Sequence, residues 1–294
     1  MQAILLKELR SYLRGARPFT LITVYLTILG GLLLLIYAGQ TSSNFVNRAE
    51  IGLSLFATVM GIALLQLTFL SPALNASSLG SERDRQTIDL LMITPVSSLK
   101  LIIGKLVAPC LFLLIMGVAT LPLAAFAFLI GGIEVRDLLV GALLLFVTTI
   151  GYGAIGIWAA ARSRTSRSGT LIAQGIVLLL AIGVPGIALI LMLLITEQQR
   201  NGSATAEWLL TSPIIRWPAL ALLSLSPFVG LFSWFVAIES GGSMWTHDMP
   251  TEFGGGTIPV LWIVSLVIWL IIIPLILWRS SRILPRSVAK QGGG

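Results

Sequence analysis

Seven ionisable residues crowd into the stretch SERDRQTIDLLMITPVSSLKLIIGK, Ser81 to Lys105, between two long apolar runs. Glu82, Arg83, Asp84 and Arg85 are consecutive and alternate in sign, Asp89 follows, and Lys100 and Lys105 close the stretch. Such residues make ion pairs and charge-assisted hydrogen bonds. Two uses fit: Glu82 and Arg83 bind a groove on another protein, or they pair within their own loop. Leu90 and Leu91 likewise fill a pocket on a partner or pack beneath the loop. Ser81 followed by Asp84 matches the Ser-x-x-acid helix start, and Glu82 and Asp84 suit the positive end of a helix dipole. Ile88, Leu91 and Met92 supply a small apolar face. Pro95 disfavours helix at Thr94, and a second helix start falls at Ser97 or Ser98. The segment therefore reads as a short helix tethered to a span on each side.

Other chemistry is sparse. The single histidine, His247, sits beside Asp248 in a polar, Gly-rich region, GGSMWTHDMPTEFGGG, which reads as a flexible outer loop and a poor metal site. The single cysteine, Cys110, cannot form an intrachain disulfide and reads as a small core residue. No G-x-x-x-x-G-K-[ST], H-E-x-x-H or G-x-S-x-G occurs, so the chain carries no nucleotide loop and no protease or esterase motif. GYGAIG at 151–156 lies within an apolar run with no strand before it, and reads as close helix packing. RSRTSR at 162–167 is a basic turn suited to anchoring topology or touching anionic lipid. The polar residues within apolar runs are mild: Thr58, Gln66, Thr68 and Gln174. They either line a translocation path or hydrogen-bond between helices.

The elements that carry these residues follow from composition. Of 294 residues, 56% are hydrophobic and only 11% charged, less than half the charge of a soluble domain. Apolar runs near 19–39, 51–74, 101–130, 138–160, 170–195 and 259–278 are each long enough to cross a bilayer. Pro109 and Pro122 predict a kink or tilt in the third. The first run follows Lys7, Arg10, Arg14 and Arg17 and reads as a retained signal-anchor. Those four bases recur at steps of three and four opposite Leu5, Leu9, Leu13 and Ala16, which predicts an amphipathic interfacial helix over 1–18.

A seventh apolar segment, 215–238, is decided by charge. If it does not cross, 15 of the 19 Lys and Arg lie inside, and only Arg48, Arg136, Arg200 and Arg216 lie outside. Positive-inside bias favours this arrangement, in which 215–238 reads as a re-entrant hairpin on the outer side, with Pro218 and SLSP, 224–227, supplying the break, or as an amphipathic segment lying on the outer surface. Both termini are then cytoplasmic, with a tail at 279–294. The same asymmetry explains the net charge of +7 without a nucleic-acid partner. Trp208, Trp217, Trp234 and Trp245 gather at the outer edge as an interfacial belt. No ionisable residue reads as lying deep within the six spans, which disfavours ion-coupled carriers and metal channels. The predicted fold class is an all-α integral membrane protein, one transmembrane domain over 1–294. It has six transmembrane helices, an N-terminal amphipathic interfacial helix and a re-entrant hairpin before the last span.

E-R-x-x-x-T-x-x-L-L-x-x-T-P followed by G-K is carried by Glu82, Arg83, Thr87, Leu90, Leu91, Thr94, Pro95, Gly104 and Lys105. This pattern resembles the signature of ABC-2 type permeases, the membrane subunits of one class of ATP-driven exporters, and the predicted topology resembles theirs over nearly the whole chain. The resemblance implies that 81–100 is a cytoplasmic coupling segment docking onto a separate ATP-binding-cassette ATPase. Its coupling residues would be Ser81, Glu82, Arg83, Asp84, Thr87, Ile88, Leu90, Leu91, Thr94 and Pro95. It also implies a second permease subunit, identical or not, a location in the plasma or inner membrane, and ATP and Mg on the partner, with no cofactor and no catalytic site in this chain. Thr58, Gln66, Thr68 and Gln174 would line the path, and a path with few charges suits an amphipathic or lipid-like cargo. Two rivals stand beside this reading: a scaffold that recruits an ATPase without transport, and an ATP-independent channel or carrier.

Overall fold

The computed structural model describes residues 16–41, 47–85, 97–200, 212–239, 245–248 and 257–289. The predicted amphipathic helix at 1–18 falls almost wholly outside them. Ten α-helices are described: α1 (Ala16–Thr41), α2 (Arg48–Asp84), α3 (Ser98–Ala119), α4 (Leu121–Ile130), α5 (Val135–Arg162), α6 (Ser166–Leu178), α7 (Val184–Arg200), α8 (Pro213–Leu223), α9 (Pro227–Glu239) and α10 (Leu261–Ala289). A π-helical turn, Leu179–Gly183, joins α6 to α7, and two three-residue strands, β1 (Thr246–Asp248) and β2 (Thr257–Pro259), pair antiparallel before α10. Six helical stretches among the described residues are long and apolar enough to cross a bilayer: 19–41, 48–84, 98–130, 135–162, 166–198 and 261–284. The chain is an all-α, multi-pass membrane protein, and its helices pack as two compact units, one running to Gly175 and resuming at Ile272, the other Ile176–Ile271.

In the first unit α2 is the central element, packed against α1, α3, α4 and α5. Asn47 caps its start by accepting the Ala49 N–H at 3.3 Å. The helix then runs unbroken for 37 residues, roughly 55 Å at 1.5 Å per residue, well beyond the ~30 Å of a hydrocarbon core. Here the structure corrects the sequence reading. Ser81 to Asp84 do not open a separate helix; they are the last turn of α2, closed by the Arg85 N–H on the Ser81 carbonyl. Nothing between Pro72 and Asp84 breaks a helix except Gly80, and Gly80 is there for packing: a Cβ on it would stand 2.7 Å from the Ser166 Cα.

The third span is interrupted once, beside one of its two prolines. The break falls at Thr120, with Pro122 in the first turn of α4, whereas Pro109 sits inside an intact α3. The second helix start is also as expected, with Ser97 as the N-cap of α3. Gly131 and Gly132 have φ of 113° and 83°, a left-handed turn into α5, whose start is a capping box of Glu134 and Asp137. GYGAIG is a packing surface as predicted: a Cβ on Gly156 would stand 2.6 Å from the Pro72 carbonyl oxygen, and one on Gly153 2.7 Å from the Asn75 amide. The spans are not free of charge at their ends. Lys105, Arg83 and Asp137 are all buried there, each with partners that sequence could not supply.

In the second unit the predicted break is present as a bent helix pair. α8 and α9 meet at 103°, and the break is the SLSP turn at 224–226, not Pro218, which lies inside α8. The returning arm packs on α10, with Gly230 against Trp262 and Ser265, and Trp234 stacked edge-on to Trp262 at 5.5 Å. Trp234 is therefore a core residue, 1% exposed, and not part of an outer belt. Trp217 and Trp245 are exposed, and Trp208 lies outside the described residues. His247 and Asp248, expected in a flexible loop, instead pair in the ribbon with Ile258 and Thr257.

Candidate functional site

The charged turn that ends α2 joins the ends of three other helices. Glu82 accepts from Lys105 of α3 at 2.9 Å, and Lys105 is 3% exposed. Arg83 donates one guanidinium nitrogen to the Ala160 carbonyl at 3.3 Å and another to the Ala161 carbonyl at 3.4 Å. These carbonyls belong to the last turn of α5, where backbone acceptors have no helical partner and the dipole favours a cation. Asp84 accepts the backbone N–H of Ser166, the first residue of α6, at 3.1 Å. The Ser-x-x-Asp pattern thus does mark a carboxylate at a helix start, but the helix is α6. Three consecutive side chains, Glu82, Arg83 and Asp84, hold α3, α5 and α6 against α2. Beneath them Ala76, Leu79, Ile102, Leu106, Ile157 and Leu284 form an apolar core that excludes water.

The burial sets the energetic stakes. A charge left without its partner in such a place costs about 3–5 kcal/mol, whereas replacing both members by apolar groups is often neutral. Lys105 is the buried member, so the cost of losing Glu82 falls on it. Glu82 itself is 22% exposed, and Asp84 and Arg85 are exposed beside it. Thr87, Ile88, Leu90, Leu91, Thr94 and Pro95 lie outside the described residues.

Above this clasp a polar seam runs along α2, and part of it answers prolines. A proline lacks the N–H that would pair with the carbonyl four residues earlier. Pro109 frees the Lys105 carbonyl, which accepts the Ser78 hydroxyl at 3.2 Å. Pro72 frees the Thr68 carbonyl, which accepts the Gln174 amide at 3.1 Å. In the second unit Pro185 frees the Ala181 carbonyl, which accepts the Ser226 hydroxyl from the hairpin turn at 2.8 Å. Gln174 is thereby committed to α2. Between the Ser78 and Gln174 contacts, the Ser71 hydroxyl donates to the Thr149 carbonyl at 2.7 Å and the Asn75 amide to the Ser71 carbonyl at 2.8 Å.

The remaining path candidates are divided. Thr58 and Thr68 donate to carbonyls of their own helix, Ser54 and Leu64, both at 2.8 Å. Gln66 alone of the four lines a cavity of about 180 Å³ within the first unit, walled by α1 to α5. The structure therefore unites Glu82, Arg83 and Asp84 at one end of the bundle and does not gather Thr58, Gln66, Thr68 and Gln174 around one space. The groups sequence reasoning passed over are two donors, the Ser78 hydroxyl and the Ser166 N–H, and two acceptors, the carbonyls of Ala160 and Ala161. Of the partners of Glu82, Arg83 and Asp84, only Lys105 had a signal, as the lysine of the trailing Gly-Lys.

Over residues 2–279 the sequence matches the family described as ABC-2 family transporter protein. The chain belongs to that family. Among curated proteins, none matches the sequence. As a member of the ABC-2 transporter family it is a membrane component of a transporter, and the clasp lies in the segment where the family resemblance was first legible.

Proposed function

We propose that this chain is the permease subunit of an ATP-driven exporter, moving an amphipathic or lipid-like cargo outward across a plasma or inner membrane with both termini cytoplasmic. The observation that carries the proposal is the clasp. A partner pressing on the segment after Asp84 acts on a turn bonded to the ends of α3, α5 and α6, so one contact can shift four helices together. ATP and Mg bind the partner ATPase, and a second permease subunit completes the pathway. In this reading the coupling segment has two parts. Leu90 and Leu91, with Thr87, Ile88, Thr94 and Pro95, dock the ATPase, while Glu82, Arg83 and Asp84 pass its motion inward. The path passes Gln66, with Thr58, Thr68 and Gln174 shaping the helices around it. Switching is a shift in population between two packings of these helices.

The test separates docking from transmission. The chain is purified in mild detergent from native membranes, and the eluate is assayed for ATPase. The natural chain brings down an ATPase; Leu90→Ala with Leu91→Ala loses it. Arg83→Gln keeps the ATPase bound but lowers cargo-stimulated hydrolysis about tenfold or more. A natural chain that elutes alone, under conditions that preserve other such complexes, sinks the proposal. An ATPase that binds, with no cargo accumulating in reconstituted vesicles, transfers the chain to the scaffold reading.

A further inference from the structure

The cavity in the first unit is larger than packing requires. At about 180 Å³ it exceeds the ~150 Å³ apolar cavity that suffices to take up benzene. Its wall is almost entirely hydrocarbon, including Met60, Leu67, Leu113 and Ala142. Val118, Leu121 and Phe146 line it and are also exposed on the outside of their helices, so it opens there. Those helices are long and apolar enough to cross a bilayer, which puts the opening between membrane-spanning elements. Four polar side chains interrupt the wall; Thr120 and Thr149 donate to carbonyls of their own chain segments, Gly117 and Leu145, both at 2.7 Å, which leaves Tyr25 and Gln66. The Tyr25 hydroxyl is buried without a hydrogen-bond partner among the described residues. Among those residues the Gln66 amide reaches the Met116 sulfur, at 3.3 Å, a weak acceptor. An apolar pocket with a few unsatisfied polar groups is the usual form of a small-molecule site.

We propose that this cavity binds an amphipathic molecule entering sideways from the bilayer: a hydrocarbon body against the apolar wall, and a hydroxyl or carbonyl oxygen hydrogen-bonded by Tyr25 and Gln66. The site lies within one subunit and needs no ATPase, so it stands or falls separately from the coupling proposal. Gly117 provides the means to test it. It lines the cavity, and a Cβ there meets nothing within 4 Å, so a larger side chain fills empty space. Gly61 is equally open but is not part of the wall.

The full chain is placed in phosphatidylcholine nanodiscs without ATP. It is photolabelled with a fatty alcohol bearing a mid-chain diazirine, or with phosphatidylcholine bearing the same group in one acyl chain. Adducts are mapped by mass spectrometry. We expect labelling of the peptides holding Leu113 and Ala142, its loss in Gly117→Phe, and its retention in Gly61→Phe. Tyr25→Phe with Gln66→Leu, which keeps the shape, weakens labelling by the alcohol about fivefold or more, the worth of a net hydrogen bond. Labelling by the alcohol alone identifies a free amphipath, and labelling by both identifies a bilayer lipid chain; either upholds the site. Absence of cavity adducts with both probes overturns it, as does undiminished labelling of a Gly117→Phe chain that elutes like the natural one.

Discussion

Arg83 makes the demand of its position plain. Its guanidinium reaches two carbonyls one residue apart with two separate nitrogens of a rigid fork, whereas an ammonium has to serve both from a single atom. Arg83→Lys should therefore recover only part of what Arg83→Ala loses, with Arg83→Ala costing about 2 kcal/mol of stability, as for a charged hydrogen-bonded group. Thermal unfolding of the detergent-solubilised chain measures both. The Glu82–Lys105 pair calls for a cycle. Glu82→Gln alone should destabilise by roughly 3 kcal/mol, because Lys105 stays buried and charged, while Glu82→Gln with Lys105→Met should regain most of the loss. A double variant no better than the single one would show that the two charges do not stabilise each other. These residues were visible in the sequence as a charged cluster, and their opposite signs suggested pairing. Their partners were not visible, because a backbone carbonyl on α5 has no signature in residue type.

At the scale of the element, the prolines and their polar correspondents act as coupled pairs. Pro72→Ala restores the N–H that the Thr68 carbonyl lacks and displaces the Gln174 amide. Gln174→Leu should lower stability, and by about 1 kcal/mol less in a Pro72→Ala background than in the natural chain, since neighbours sharing a bond are non-additive. Additive losses in a denaturation series would break the link. The contact of α5 on α2 is less forgiving. Gly156→Ala pushes a methyl toward the Pro72 carbonyl and should cost about 1–3 kcal/mol by overpacking, while Gly61→Ala has open space and should be neutral. Spans, the hairpin turn at 224–226 and the packing role of GYGAIG were legible because they depend on local composition. The continuity of α2 was not. A Ser-x-x-Asp pattern states that a carboxylate caps a helix, and only packing decides which helix receives it.

For the whole molecule, charge asymmetry predicts sidedness that labelling can read. Cys110 is buried, so the natural chain is close to a cysteine-free background. Arg164→Cys and Trp245→Cys place thiols at exposed positions. An impermeant maleimide added outside sealed cells should label the cysteine at 245 and spare the one at 164 until the membrane is opened. The reverse pattern would invert the topology and with it the side from which an ATPase approaches. Family membership and the six-span plan were readable from sequence because both rest on long, repeated signals, whereas the cavity beside Gln66 depends on how five helices happen to leave space.

The unbroken α2 also fixes a ratio of movement. A rod of roughly 55 Å pivoting near Asn47 by only ~5° carries its far end about 5 Å, close to one helical pitch. Because Glu82, Arg83 and Asp84 sit at that far end, rearrangements near the pivot too small to break a single side-chain contact would be felt by an attached partner as a displacement of a full turn.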